Sequence, residues 1–254
     1  MKVGFRLVLC VAALIGSVVL LRYTHRMLQE GDYFGNREIR YEGVRNIDSD
    51  AFTRLLQSGF EQNLFTLNLE RVRDLLESEK WVREASVRRQ FPDRLILQIV
   101  ERQPVAVAAI EGDLYVVDSD GVVLTLFQPR FDNLDRPIVK GLLNVALEDA
   151  ESGNAFRMRT YLRVFADLGS NGRNLADTVS EIDVGNPSRV ILYPVDDPVP
   201  IYLGETDFRK RYERFLNQRE LYNELKEKYG PIEYVDVSFE NKIIFHTPDD
   251  SVSG

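Results

Sequence analysis

Residues 81–106, WVREASVRRQFPDRLILQIVERQPVA, constrain the fold more than any other stretch. Two β-like runs flank Phe91-Pro92-Asp93, and Pro104 closes the second run. Alternation of apolar and polar residues about such a turn describes a pair of half-buried strands. Arg83, Arg88, Arg89, Arg94 and Arg102 sit among the apolar residues, and the segment contains no Gly, Cys or His. It is too ordered for a linker and too poor in reactive groups for an active site.

The residues before it complete a unit. REIRYEG (37–43) reads as a strand ended by Gly43. Asp48 or Ser49 is a candidate N-cap for a helix with Phe52, Leu55 and Leu56 on its apolar face and Gly59 after it. NLFTLNL (63–69) is a short apolar connection, and Asn68 caps a second helix carrying Val72, Leu75 and Leu76. Trp81 is placed to cover that helix end. The order strand, helix, helix, strand, strand gives a three-stranded sheet with one face covered by two helices.

A second, β-rich domain begins near Val105. AVAAIEGDLYVVDSDGVVLTL contains a hairpin turned at Asp118-Ser119-Asp120-Gly121, too short of ligands for a calcium loop. Residues 131–143 read as irregular. Residues 152–168 read as a helix with Phe156, Leu162 and Phe165 among its apolar positions and Gly169 as its stop. TVSEIDVG, SRVILYP and VPIYLG read as three successive strands, with Pro187, Pro194, Pro198 and Pro200 confined to their ends. Residues 204–230 read as one long helix, capped by Thr206 or Asp207, with Phe208, Tyr212, Phe215, Leu221 and Leu225 on one face. In 232–248, Val235, Val237 and Phe239 alternate with Tyr234, Asp236 and Ser238, and Glu240-Asn241 is a candidate tight turn into KIIFH.

The N-terminus is of another kind. Leu7–Leu21 is uncharged, and extending it back to Val3 adds only Arg6, which can snorkel. As a helix, Val3 to Leu21 spans about 28 Å, close to a bilayer core. The rival is a cleaved signal peptide, against which stands LLRYTHRM with no small-x-small site behind the run. A buried helix is the third possibility. Lys2 and Arg6 before the run nearly balance Arg22 and Arg26 after it, so charge does not orient it. Cys10 is the single cysteine and cannot form an intrachain disulfide; Leu9 before it argues against a lipoprotein site.

Composition narrows function. The net charge is −8, and all 40 Asp and Glu lie at or beyond residue 30. An acidic body argues against nucleic-acid binding, which rests on neutralising phosphates. The two histidines, His25 and His246, have no partners at metal-ligand spacing, and no nucleophile elbow, P-loop or dinucleotide fingerprint occurs. Asp196-Asp197 and Asp249-Asp250 read as solvated turns. No catalytic, cofactor-binding or metal residue is assigned, and the chain reads as non-enzymatic. An anchored chain with two sheet-bearing domains is then an interaction protein, and sheet edges offer it a route: a partner segment adds a strand.

Trp81-Val82, Ala85-x-Val87-x-Arg89, Phe91-Pro92-Asp93, Leu95 to Ile99, Glu101 and Pro104-Val105-Ala106 together resemble a POTRA domain (the polypeptide-transport-associated module), and more narrowly the FtsQ/DivIB family of bacterial cell-division proteins. The likeness extends over nearly the whole chain. Phe91 stands where the family commonly has Trp, and Val107 where an aromatic often follows; both remain apolar. The resemblance implies an α+β fold: a cytoplasmic tail at 1–6, a single transmembrane helix at 7–24 (extending back to 3 if Arg6 snorkels), a spacer at 25–35, a POTRA-like β-α-α-β-β domain at 36–104, a β-rich domain with two helices at 105–248, and a disordered tail at 249–254.

It further implies a divisome scaffold at the division septum. The chain would be a single-pass inner-membrane protein with its N-terminus cytoplasmic and its body periplasmic, binding the periplasmic segments of FtsB and FtsL. The family's late β-domain strand takes a strand from FtsB, and its pattern matches Tyr234, Val235, Asp236, Val237, Ser238, Phe239, Asn241 and Ile243 here. Phe239 matches an aromatic used at that contact; Ser238 and Asn241 depart from one Arg-x-x-Ser form of the motif. Core packing is the plainer role for Phe239. In the POTRA-like unit, Arg83 and Arg89 are the candidate recognition residues, the other arginines being solvated strand faces. Two other classes compete. A translocation or outer-membrane assembly component would show repeated POTRA units or a series of membrane strands, and an anchored cell-wall enzyme would depend on one carboxylate.

Overall fold

A computed structural model of the chain describes residues 2–30, 38–47, 53–54, 64, 66–91, 93–145, 153–170, 172 and 174–248. Two compact units, Met1–Arg102 and Gln103–Gly254, divide it.

The first unit begins with α1, Lys2–Glu30. The expected spacer is therefore shorter than the sequence implied, because Arg26-Met27-Leu28-Gln29-Glu30 are all good helix formers and the next glycine after Gly16 is Gly31. Val11, Leu14, Ile15, Val18, Val19, Leu20 and Leu21 are all exposed. They occupy every side of the helix, which has no polar stripe. No helix is long and apolar enough to cross a membrane among the described residues, which in α1 have side chains described only from 11 to 27.

Beyond α1, β1 (Glu38–Glu42), α2 (Leu69–Glu77), β2 (Val82–Gln90) and β3 (Arg94–Glu101) follow in turn. The sheet order is β1-β3-β2. β3 is central, parallel to β1 with Glu38 opposite Arg94, and antiparallel to β2 with Gln90 opposite Arg94. Of the first predicted helix only 53 and 54 are described, and both are helical; Asp48, Ser49, Phe52, Leu55, Leu56 and Gly59 lie outside the described residues. Asn68 caps α2 as its residue type requires, its Oδ1 accepting the Arg71 N–H at 3.1 Å. Leu64, Leu67, Val72 and Leu76 meet Ala85, Leu95, Leu97 and Ile99 in one core. Gly43 has φ +88, and a Cβ there would stand 2.1 Å from the Ile99 carbonyl oxygen, so only glycine can end β1 at this point.

The second unit is a nine-stranded sheet with helices. Its strands are β4 (Pro104–Ile110), β5 (Asp113–Asp118), β6 (Val123–Leu126), β7 (Ile138–Lys140), β8 (Val179–Asp183), β9 (Val190–Pro194), β10 (Ile201–Gly204), β11 (Tyr234–Asp236) and β12 (Ile244–His246). Their order is β12-β11-β10-β9-β8-β7-β4-β5-β6. Asp118 turns the β5–β6 connection as expected, its Oδ1 accepting the Asp120 and Val122 N–H groups at 3.0 and 2.9 Å.

Three expectations fail here. Residues 131–143 are not irregular throughout: β7 lies within them and pairs in parallel with both β4 and β8, so it joins the two halves of the sheet. Three residues after Pro137 carry too little alternation to register as a strand. The buried Tyr161 hydroxyl holds this segment, donating to the Pro137 carbonyl at 2.7 Å. Second, the helix expected over 204–230 is two, α4 (Phe208–Leu216) and α5 (Arg219–Tyr229), with α3 (Ala155–Leu168) before them. Among the described residues the unit therefore has three α-helices rather than two. The Asn217 and Gln218 N–H groups bond back to Glu213 and Phe215, closing α4 before α5 begins. Third, Asp207 stands at the α4 N-cap in the left-handed region at φ 54, and its side chain makes no capping bond.

The buried residues of the helices, Met158, Tyr161, Val164, Phe208, Tyr212, Phe215 and Tyr222, pack with Val139, Ile182, Leu192 and Ile201 of the sheet in a single core. Tyr222 rather than Leu221 faces this core. Residues 249–254, expected to be a disordered tail, lie outside the described residues.

Candidate functional site

The last 15 described residues hold most of the predicted partner-binding positions, and the structure separates them into three environments. β11 is not an edge. It pairs in parallel with β10, Ile201 opposite Val235, and antiparallel with β12, Val235 opposite Phe245. The N–H groups of Val235 and Val237 donate to the Pro200 and Tyr202 carbonyls at 2.9 and 3.0 Å. Val235 and Val237 are 0% exposed and belong to the core. Among the described residues the sheet ends instead at β12, with β6 at its other end. Because backbone groups alternate along an antiparallel strand, those of Tyr234 and Asp236 face β12, and the Phe245 N–H and C=O point away from the sheet.

Ser238, Phe239 and Asn241 lie past the end of β11, in the connection 237–243. The expected tight turn at Glu240-Asn241 is this longer loop, because β11 ends at Asp236 and β12 starts only at Ile244. The loop is ordered by side chains. Asp236 Oδ1 accepts the Ser238 N–H at 2.9 Å and its hydroxyl at 2.6 Å. Arg214, on α4, donates from Nη2 to the carbonyls of Val237 at 2.6 Å and Phe239 at 2.5 Å, and from Nη1 to that of Glu240. Phe239 is thereby held with its ring outward, 42% exposed, and Lys242 Nζ stands 4.2 Å from the ring centroid. A pocket of about 360 Å³ opens beside it, lined by Arg214, Leu221, Asn241, Lys242, Ile243 and Phe245 among others. Sequence reasoning missed Arg214, Lys242 and Phe245. Arg214 lay in a charged helix run that reads as a solvated face, and the edge position of β12 is a property of the sheet.

The open face of the sheet ties this edge down. Arg189 lies 4.2 Å over the Tyr202 ring, Tyr202 meets Tyr234 edge-on at 5.1 Å, and Tyr234 stacks on His246 at 4.7 Å. His246 Nε2 is also 3.5 Å from a Glu233 oxygen. On the helix side, burial pushes the Asp197 carboxyl up, but bonds from Lys226 Nζ at 2.6 Å and the Tyr222 hydroxyl at 2.7 Å outweigh it and hold it below its ordinary value. Asp196 lies 3.5 Å from Arg219. Among the described residues no group of three His, Cys, Asp or Glu side chains is placed to hold a metal ion.

In the first unit, Arg89 points its guanidinium at the loop before α2, Nε to Leu64 O at 2.7 Å and Nη2 to Leu67 O at 2.5 Å. Arg83 is exposed on β2. Glu101 was expected only as a closing residue of the pattern. Its buried carboxylate accepts the N–H groups of Arg45, Asn46 and Ile47 at 2.6, 2.8 and 3.2 Å. Burial pushes the Glu101 carboxyl up, and these donors with the Asn46 side chain outweigh it, leaving it below the ordinary carboxylate value.

The class these features define is a POTRA-like module, its described strands in the order β1-β3-β2 beside α2, followed by a domain built on a nine-stranded mixed sheet with a clamped loop beside its C-terminal edge. Residues 34–102 match the family model described as POTRA domain, FtsQ-type, and residues 106–238 match that described as Cell division protein FtsQ/DivIB, C-terminal. The chain belongs to the FtsQ/DivIB family. Among its relatives is a Cell division protein FtsQ of Syntrophotalea carbinolica, 29% identical over 91% of this chain and 81% of its own length. Another is a Cell division protein FtsQ of Geotalea daltonii, 29% identical over 92% of this chain and 83% of its own length.

Proposed function

We propose that this chain is a non-enzymatic scaffold of the bacterial divisome, anchored in the inner membrane by α1 and holding partners through its C-terminal sheet edge. The family supports the cell-division role. The anchor is supported by a helix that runs over Lys2–Glu30 and carries apolar residues on all sides of its described part. At about 1.5 Å per residue it is long enough for a bilayer core with a turn or more to spare at each end. The N-terminus would then be cytoplasmic and the body periplasmic, at the septum.

The observation that carries the contact is the end position of β12 in the sheet, beside the pocket and the outward ring of Phe239. A partner strand adds to β12 through the outward peptide groups of Phe245, and its side chains reach the pocket. The partners are the periplasmic segments of FtsB and FtsL, FtsB supplying the strand. Tyr234, Val235 and Val237 contribute by supporting β12 from within; Ser238, Phe239, Asn241 and Ile243 form the neighbouring surface. In the first unit Arg83 serves recruitment to the division site, and Arg89 holds the surface in shape.

Calorimetric titration of the full chain in detergent with the FtsB–FtsL periplasmic segments tests this. Saturable one-to-one heat that is lost on disrupting β12 is expected. No heat from a folded chain overturns the partner assignment, and the translocation-component class becomes the better account.

A further inference from the structure

We propose that Asp197, in the connection between β9 and β10, is a positioning residue for strand docking at β12. It latches α5 against the sheet and so sets the helix wall of the pocket beside that strand. This role rests on the reading that a partner docks at β12.

α5 has little else to hold it. Its eleven residues are too few to form a stable helix alone. Tyr222 is its one buried residue, and Leu225 is partly buried against the core. The break at Asn217–Gln218 separates it from α4. Arg219, Tyr222 and Lys226 follow at intervals of three and four residues and so share one face. That face meets two adjacent carboxylates. The Tyr222 hydroxyl donates to Asp197 Oδ2 at 2.7 Å, and Lys226 Nζ donates to the same oxygen at 2.6 Å. Arg219 Nη2 lies 3.5 Å from Asp196 Oδ2. The Asp196 side chain is 81% exposed and that of Asp197 28%, so water weakens the first contact far more than the second. The strand side of the latch is stiff. Pro198 and Pro200 fix the backbone on either side of Val199, whose N–H donates to the Asp197 carbonyl at 2.7 Å.

The latch reaches the pocket by two routes. Tyr222 is one. Its hydroxyl is on Asp197, while its ring centroid lies 5.6 Å from that of Phe215 and 6.3 Å from that of Phe245 on β12. Phe245 lines the pocket. Leu221, the residue before Tyr222, is the other. It lines the same pocket together with Gln218, which opens α5. Neighbouring residues on a helix stand about 100° apart, so a roll of α5 that releases Tyr222 also moves Leu221 off the pocket. A strand added to β12 sends alternate side chains into this space. A carboxylate outside the lining thereby decides whether the wall is in place before the partner arrives. A wall already in place spares the complex the cost of ordering it.

The test uses the full chain in detergent, first by amide exchange and then by calorimetry with the FtsB–FtsL periplasmic segments. Asp197→Ala should speed exchange in α5 about tenfold or more, with α4 and β10 unchanged. Affinity for the segments should fall about three- to tenfold. Leu221→Ala should also weaken binding, but should add little on top of Asp197→Ala, because the wall is then already displaced. Tyr222→Phe keeps the ring against Phe215 and Phe245 and removes only the hydroxyl. It should reproduce the α5 exchange in smaller degree, and it decides the matter if Asp197→Ala does not fold. Faster exchange shared by α4 and β10, or additive losses of affinity, would mean general destabilisation and overturns the positioning role. Unaltered affinity in Asp197→Ala overturns it as well. If the unaltered chain does not bind the segments, the partner assignment at β12 fails, and the exchange contrast alone decides the latch: a change confined to α5 supports it and a uniform change overturns it.

Discussion

Arg214 on α4 donates to the main-chain carbonyl of Phe239 at 2.5 Å, across 25 residues of sequence. The same guanidinium reaches the carbonyls of Val237 and Glu240. Three carbonyls that would otherwise splay into solvent converge on one planar cation. The loop then has one conformation, and the Phe239 ring is presented rather than collapsed onto the core. Arginine suits this because its fork carries several donors in fixed directions.

Arg214→Met should therefore loosen the loop without dissolving the sheet. Charged hydrogen bonds of this kind contribute about 1.5–3 kcal/mol each at most, and exposed ones less. We expect a melting temperature lower by a few degrees and faster amide exchange at 238–241, with β11 unaffected. Arg214→Lys should restore little, since an ammonium offers no fork. Unchanged exchange in the loop would mean that the carbonyl contacts do not order it.

Phe239 and Val237 lie two residues apart yet should behave oppositely. Phe239→Glu places a charge on a ring position that is 42% exposed, and the circular dichroism melt should barely move. Binding of the FtsB–FtsL segments should weaken by tenfold or more, about 1.4 kcal/mol for each factor of ten. Val237→Glu buries an unpaired charge in a position that is 0% exposed and should unfold the second unit. If Phe239→Glu unfolds the domain instead, the ring is a packing residue and the assignment of the surface fails.

The contrast between those two residues marks how far sequence alone reaches. Alternation over 234–239 grouped Val235, Val237 and Phe239 on one side, which holds for the valines and fails at Phe239 because the strand stops at Asp236. Local chemistry was legible: the Asn68 cap, the β2–β3 pairing either side of 91–93 and the Asp118 turn each depend on a few adjacent residues. Elements defined by distant partners were not. β7 is a strand only because β4 and β8 flank it, and β12 is an edge only because nothing described pairs beyond it. The break at Asn217–Gln218 carries no Pro or Gly to announce it. Glu101 and Arg214 act on backbone groups far away in sequence, so their roles leave no periodic trace.

Tyr161→Phe removes one hydroxyl and leaves the Pro137 carbonyl without that donor. The hydroxyl is buried, and burial raises its pKa, so it stays protonated across the physiological range and acts only as a donor. A buried acceptor left unsatisfied costs about 1–3 kcal/mol. The loss should appear as a lower denaturation midpoint with an unchanged slope. Amide exchange at β7 should rise more than at β10. Equal exchange in both strands would mean that the hydroxyl does not hold the joining strand.

Glu101 gives the first unit its pH dependence. Burial alone would raise its carboxyl pKa, but the N–H groups of Arg45, Asn46 and Ile47 and the Asn46 side chain bring it below the ordinary carboxylate value. The folded state thus binds this proton less readily than the unfolded state does. Its stabilising contribution is fully present above the unfolded pKa and is lost as pH falls through the folded one. Between neutral pH and about 5.5 the unit should therefore melt at a constant temperature. Below the unfolded pKa its stability should decline. Glu101→Gln retains one carbonyl oxygen but turns an NH2 toward the same backbone donors, so it should destabilise the unit at neutral pH by about 1–3 kcal/mol. It should also flatten the acid limb, because no proton is then taken up at this position. Melting curves of both proteins across the acid range measure this directly. Parallel curves would assign the acid limb to other carboxylates and leave Glu101 as a neutral packing contact.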